Sequence, residues 1–260
     1  MRPNWKFPVS LAACLLAAAP HAQALAQTAK VGDRITFVTC PLVRDTFVPA
    51  WLAQYEGELY YLGPQGDLGT EFYPPQLSHR ALIEGVVTAE PRISGGVVLS
   101  PVKVSVLPEL DVTCNTILPA AGFPDPPHHR SPGPTNTEEE EEAPRPPARS
   151  LTEPSTFDVP FAFDVGDHLF ARDSRVISQV ANFVRDSGAK RVQVIGYRSA
   201  ALLSSGERMA ERDYIAQRRA DMVAKMLAHA GVPEDVIQVS TADATREADG
   251  VDDHLLRRAA

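Results

Sequence analysis

Three cysteines, seven histidines and 33 aspartates and glutamates are the side chains whose spacing could do chemistry in this 260-residue chain. No Gly-x-Ser-x-Gly turn, phosphate-cradling glycine loop or His-Glu-x-x-His helix occurs. His168 and His254 have no serine or cysteine at motif spacing, and the pair His128-His129 falls in a proline-rich stretch. No two carboxylates are singled out for glycoside hydrolysis. The expectation is a protein that is not an enzyme and needs no cofactor. Two Cys without a nearby His pair cannot close a zinc site, so no metal is expected either. What the cysteines can do is pair. Cys14 lies in an N-terminal apolar segment, which leaves Cys40 and Cys114 as an even count. A bond between them would close a loop of about 75 residues in an oxidising compartment.

The N-terminus points to that compartment. Arg2 and Lys6 precede an apolar run from Phe7 to Ala19, and Ala24-Leu25-Ala26 forms a small-residue exit. Residues 1–26 are expected to be a cleavable signal peptide, with the mature protein in the periplasm or on the periplasmic face of the outer membrane. Pro20 interrupts a segment already too short to span a bilayer, so no transmembrane helix is expected in the mature chain. Leu11-Ala12-Ala13-Cys14 also matches a lipobox, and a lipoprotein anchored at Cys14 is the second reading. The apolar run continues past Cys14 as Leu15 to Ala19, which favours cleavage after Ala26. A formal net charge of -8 argues against nucleic acid as a partner.

The elements that must position any site fall into two blocks. Residues 119–155 hold a run of prolines and the acidic stretch Glu138 to Glu142. Proline removes backbone donors and the glutamates repel, so this is expected to be a disordered linker with a reach on the order of 110 Å. Before it, 27–118 reads as β. Arg34 to Cys40, Glu58 to Leu62 and Ala81 to Thr88 are rich in β-branched and aromatic residues, and Val102, Val104 and Val106 alternate with polar neighbours. A small barrel or sandwich of five to seven strands, bonded by Cys40 and Cys114, is expected.

The third block, 156–260, changes period. Phe157, Val159, Phe161 and Phe163 alternate as a strand; Asp173 to Ser187 has helical spacing and ends at Gly188. Arg191 to Tyr197 is a second strand, Arg212 to Ala230 a long helix, and Val236 to Val239 a third strand. The whole chain is therefore expected to be α+β: an all-β first domain, then a βαβαβ two-layer α/β sandwich.

Within that sandwich VPFAFDVGDHL, Ile195-Gly196-Tyr197, the helix Ile215-Ala216-Gln217-Arg218-Arg219-Ala220-Asp221-Met222-Val223 and Ala230-Gly231-Val232-Pro233 resemble the OmpA-like C-terminal domain. The resemblance covers roughly two-fifths of the chain and makes it a degenerate member. It implies noncovalent binding of peptidoglycan, chiefly the diaminopimelate of the stem peptide. Such a ligand calls for a guanidinium facing its carboxylate and an opposing carboxylate for its ammonium. By position Arg219 matches the family's carboxylate-binding arginine. Tyr197, Arg198 and Ser199 stand where the family has His, Thr or Ser, and Asp, so Ser199 lacks the aspartate's charge. Glu207, Glu211 or Asp213 could restore it from the connection after Gly196, which Ala200 to Glu207 lengthens. Arg212 aligns with the customary Asn of the helix entry. Leu256-Arg257-Arg258-Ala259 resembles the opening of the family's last strand, and that closing strand is expected to be stubby or absent.

The expected ligand-binding set is Arg219, Ser199, Tyr197, Arg198 and Asp213. The leading functional expectation is an exported cell-envelope protein binding peptidoglycan. The alternative is an interaction scaffold with a decayed site, in which the β domain binds an envelope protein.

Overall fold

The computed structural model describes residues 29–65, 74–120, 122–124, 155–169 and 174–260. The expected signal segment, the lipobox and the acidic run lie outside the described residues. No described helix is long and apolar enough to cross a membrane.

The first half forms one seven-stranded sheet. Its strands are β1 (Arg34–Thr39), β2 (Pro41–Asp45), β3 (Ala50–Tyr55), β4 (Glu58–Pro64), β5 (His79–Val87), β6 (Val97–Leu110) and β7 (Thr116–Pro119). They are ordered β1-β5-β6-β4-β3-β2-β7. β6 serves both arms: Val97 and Val98 pair with β4, and the rest of the strand with β5. The sheet curls over Ile35, Phe37, Trp51, Tyr60, Leu62, Ile83 and Val104. β1 and β7 do not pair with each other, so where a small barrel or sandwich was expected the sheet is a curled half-barrel. Strand β5 shows why sequence pattern alone misleads here. Ala81 to Glu84 are all buried, because one face of β5 lines the curl and the other meets the second half. The predicted disulfide joins Cys40, just after β1, to Cys114, just before β7, across 74 positions of sequence.

The second half contains β8 (Val159–Pro160), α1 (Arg175–Ser187), β9 (Val192–Arg198), β10 (Ala200–Leu202), β11 (Arg208–Ala210), α2 (Ile215–His229), β12 (Ile237–Asp243) and β13 (Arg258–Ala259). The main sheet runs β12-β9-β13-β8. Val194, Ala220, Val223, Leu227, Ile177, Ala181 and Val184 form its core between sheet and helices. Gly188 closes α1 in the left-handed conformation, as the sequence suggested. Gly196 lets α2 approach: a Cβ there would sit 1.9 Å from the Ala216 carbonyl oxygen. Gly196→Ala is expected to destabilise the protein by about 3 kcal/mol, read from urea unfolding. A loss below about 0.5 kcal/mol would mean that α2 can back away.

Two expectations are corrected. The alternating run Phe157 to Phe163 makes only a two-residue strand. Phe161 N–H still bonds to the Arg257 carbonyl in the register of β8 and β13, but Phe163 N–H turns to Ser105 Oγ, and there the chain leaves the sheet. The lengthened connection after Gly196 is also not a loose loop. It forms the hairpin β10–β11, with Ala200 paired to Ala210 and Leu202 to Arg208.

The hairpin holds the two halves together. Ser204 donates its N–H to the Thr36 carbonyl at 2.7 Å, and Thr36 N–H returns a bond to Ser204 Oγ at 2.9 Å. The otherwise open edge of β1 is thereby capped. Leu82 and Leu107 pack with Phe163 and Ala201. Arg257 pairs with Glu84 in a buried bridge, and Arg34 with Asp252 at 2.6 Å on the surface. The second half thus rests directly on the first.

His254 lines the small cavity between the halves with Glu84, Lys103, Arg34 and Asp252. Burial holds its ring below the ordinary value; Arg257 and Lys103 push the same way, while Glu84 and Asp252 oppose them. The unfolded chain therefore takes up the proton more readily. The stability His254 contributes is complete above the ordinary histidine value and is lost as pH falls through it. Urea midpoints should drop from about pH 7.5 to about 5.5, and His254→Gln should flatten that slope. An unchanged slope in the variant would assign the dependence to other groups.

Candidate functional site

Arg219 projects from α2 into the interior, where both it and Glu211 have no exposed side-chain surface. Its Nη1 and Nη2 donate to the two carboxylate oxygens of Glu211 at 2.8 and 2.6 Å. Nη1 also donates to the Tyr197 carbonyl at 2.7 Å, Nη2 to the Ala162 carbonyl at 3.0 Å and Nε to the Val165 carbonyl at 2.9 Å. A guanidinium has five N–H bonds. All five are used.

Glu211 is equally occupied. Beyond Arg219 it accepts the Asp164 N–H at 2.7 Å and the Ser199 N–H at 2.9 Å. It follows β11, and the Glu211 N–H donates to the Ser199 carbonyl, which extends the hairpin by one more bond. The hairpin therefore carries a carboxylate to the place where Ser199 could not supply one. Of the three acidic residues weighed from sequence, Glu211 is the one placed against Arg219 and Ser199, while Glu207 is exposed in the hairpin.

The other expected binding residues do not converge on a free receptor. Ser199 is fully buried and bonds through Oγ to the Ala200 carbonyl. Tyr197 gives its carbonyl to Arg219, but its ring stacks under the Arg258 guanidinium at 4.5 Å. Arg198 pairs with Asp213 at 2.9 Å and Asp243 at 3.2 Å, and donates Nε to the Glu211 carbonyl. Asp213 is 90% exposed and outside the buried set. The expectation that Arg219 presents its guanidinium at the surface is corrected: the helix aims it inward, where backbone carbonyls and Glu211 satisfy it.

Asp164 and Arg212 flank the pair. Asp164 Oδ1 accepts the Arg212 N–H at 2.9 Å, and the two side chains form an ion pair. Burial nevertheless raises the Asp164 carboxyl above its ordinary value, with Arg212 opposing and Glu211 adding to the rise. On the β half, Glu109 reaches Arg212 at 3.6 Å, and Ser105 holds Phe163. Strand β6 therefore touches this segment from the β half at Glu109 and Ser105.

Among the described residues, Cys40, Asp111 and Cys114 are grouped closely enough to suggest a metal. Their sulfurs are bonded to each other, which removes the thiolates such a site needs. Asp111 instead accepts from the Thr113 N–H and hydroxyl.

No family model matches the chain, and no curated protein matches its sequence. Among solved structures it is similar to the OmpA-like domain of FopA1 from Francisella tularensis subsp. tularensis SCHU S4, at 24% identity and a TM-score of 0.32. The likeness covers 39% of this chain and 66% of that one.

Proposed function

We propose that the protein is an exported, non-catalytic interaction scaffold of the cell envelope, in which an OmpA-like unit has become a structural partner of the β half. The observation supporting this is the saturated guanidinium of Arg219. A stem-peptide carboxylate would have to displace Glu211 and strip two backbone N–H groups of their acceptor. Each buried donor left unpaired costs about 1–3 kcal/mol, so a weak ligand has no gain to set against the exchange. Glu211 occupies the position of a ligand from within the chain, and binding falls to other surfaces, first those of the β half.

The wall-binding reading keeps one support, the matching position of Arg219 in the helix. Co-sedimentation with purified sacculi separates the two. The scaffold reading expects the full chain to stay in the supernatant at low salt. Pelleting that diaminopimelate competes away, and that Arg219→Lys abolishes without loss of the fold, would establish peptidoglycan as the ligand and overturn the scaffold. Release of soluble muropeptides in the same assay would instead reveal a hydrolase.

Ser199→Asp, which restores the residue type the resemblance calls for, is expected to lower stability by about 2 kcal/mol or more. It places a second carboxylate against Glu211 at a fully buried position. An unfolding midpoint equal to wild type would show that the site has room for both.

A further inference from the structure

Three arginines are buried among the described residues: Arg44, Arg219 and Arg257. Glu211 balances the charge of Arg219, and Glu84 that of Arg257. Arg44, on β2, makes no ion pair with any described residue; its two hydrogen bonds go to backbone carbonyls. A guanidinium taken out of water without a counter-charge is costly, and of the three this one alone is left so. Its position is firm. Arg44 lies opposite Ala50 of β3 and Leu118 of β7, and Leu42, on the same face, packs with Leu52, Tyr61 and Val98. Asp45, the adjacent acid, leaves from the other face of the strand.

The surroundings hold the guanidinium as a fork with one edge open. Nε donates to the Ser94 carbonyl at 3.0 Å and Nη1 to the Pro119 carbonyl at 2.8 Å. The Phe123 ring covers one face, its centroid 3.9 Å from Cζ. Two of the five N–H bonds are spent, and both on Nη2 remain. Nη2 has no partner among the described residues, yet it is not sealed from solvent. Gly95, held at a positive φ, keeps that edge clear: a Cβ there would stand 3.7 Å from Nη2 and 3.1 Å from the Phe123 ring. In the same turn Ser94 Oγ is buried without a partner. Donors are left over here and no carboxylate answers them. Such a fork matches a carboxylate bidentately, and being already immobilised it loses little freedom on binding. Arg92 bonds to the Gly95 carbonyl at 3.2 Å, but Glu58 neutralises it at 2.7 and 2.9 Å. A dianion would therefore find no second charge. Phe123, 38% exposed, leaves part of its ring for an apolar neighbour of the acid.

We infer that Arg44 is the receptor for an acidic side chain of a partner protein: an Asp or Glu sets its carboxylate on the open edge, and an apolar residue beside it packs on Phe123. This deepens the scaffold reading by giving the β half a site and its partner a chemistry, and it rests on that reading only in taking the partner to be a protein.

The test uses the full chain and an acetylated Ala-Phe-Glu-Phe-Lys peptide with a fluorophore on the lysine, followed by anisotropy. Saturable binding is expected. It should weaken at least tenfold in Arg44→Lys, which keeps the charge and loses the fork, and at least threefold in Phe123→Ala. Both variants should keep the wild-type circular dichroism, and a peptide with glutamine in place of its glutamate should not bind. Formate should not compete, since it offers Phe123 nothing. If Arg44→Lys fails to fold, the Arg44 Nε–H resonance of wild type decides, shifting with the glutamate peptide and not with the glutamine one. Absence of binding to wild type, equal binding of the two peptides, or equal binding by both folded variants overturns the site. Displacement by inorganic phosphate as effective as by unlabelled peptide would assign the fork to a phosphate. Binding seen only after Asp125 and Glu138 to Glu142 are replaced by Asn and Gln would assign it to acids of this chain. Either result overturns the partner's side chain. A chain that binds the peptide and also pellets with sacculi keeps the fork and overturns the scaffold alone; one that does neither overturns the fork alone.

Discussion

Glu211→Ala should destabilise the protein by about 3–5 kcal/mol, the cost of leaving a buried guanidinium without its counter-charge. The substitution removes two charge-assisted bonds from Arg219 and the acceptor of the Asp164 and Ser199 N–H groups at the same time. Urea unfolding at neutral pH measures it. Glu211→Gln, which keeps an acceptor and loses the charge, should fall between. A second readout distinguishes a vacated anion site from general damage: formate should raise the melting temperature of Glu211→Ala and leave wild type unmoved, since only the variant offers a site for it. If the Ala variant loses under 1 kcal/mol, roughly the value of an exposed pair, Glu211 is not the counter-charge that holds this region.

Removing the disulfide should be about as costly. Cys40 and Cys114 close a loop of 74 positions, and constraining the unfolded chain over that length is worth about 4 kcal/mol in the loop-entropy account. The bond ties the start of β2 to the start of β7, which pair in parallel from Leu42 and Thr116 onward. A parallel pair has no short turn to set its register, and the covalent link supplies one. The double variant Cys40→Ser, Cys114→Ser should therefore unfold at markedly lower urea than wild type, and adding reductant should lower the wild type toward it. If reductant leaves the wild type unchanged while iodoacetamide labels both thiols, the bond does not contribute in the folded protein.

What could be read from the sequence was set by local chemistry. β-Branched density marked Arg34 to Cys40 and Ala81 to Thr88, and both contain strands. Helical spacing closed by Gly188 marked α1. An even cysteine count, together with the export expected from the N-terminal residues, marked the disulfide. What escaped was fixed by contacts distant in sequence. Phe161 and Phe163 alternate like strand residues, yet Ser105, 58 positions away from Phe163, draws that segment toward the other half. Arg219 was legible as the important arginine of α2, but its direction was not. A helix position states which face a side chain leaves from, and here three carbonyls from two separate segments decide where the guanidinium ends. Glu211 was visible only as one of three acids in a lengthened connection. Nothing local says that the connection folds into a hairpin, and the hairpin is what delivers Glu211 to Arg219.

The buried bridge between Glu84 and Arg257 joins parts of the chain 173 positions apart, with the proline-rich segment between them. Covalent connection makes the contact between the halves intramolecular, so it need not be strong enough to hold two separate chains together. A single proteolytic nick in that segment would turn an intramolecular equilibrium into a dilution-sensitive one. The protein would then come apart in response to cleavage without any change in its folded pieces.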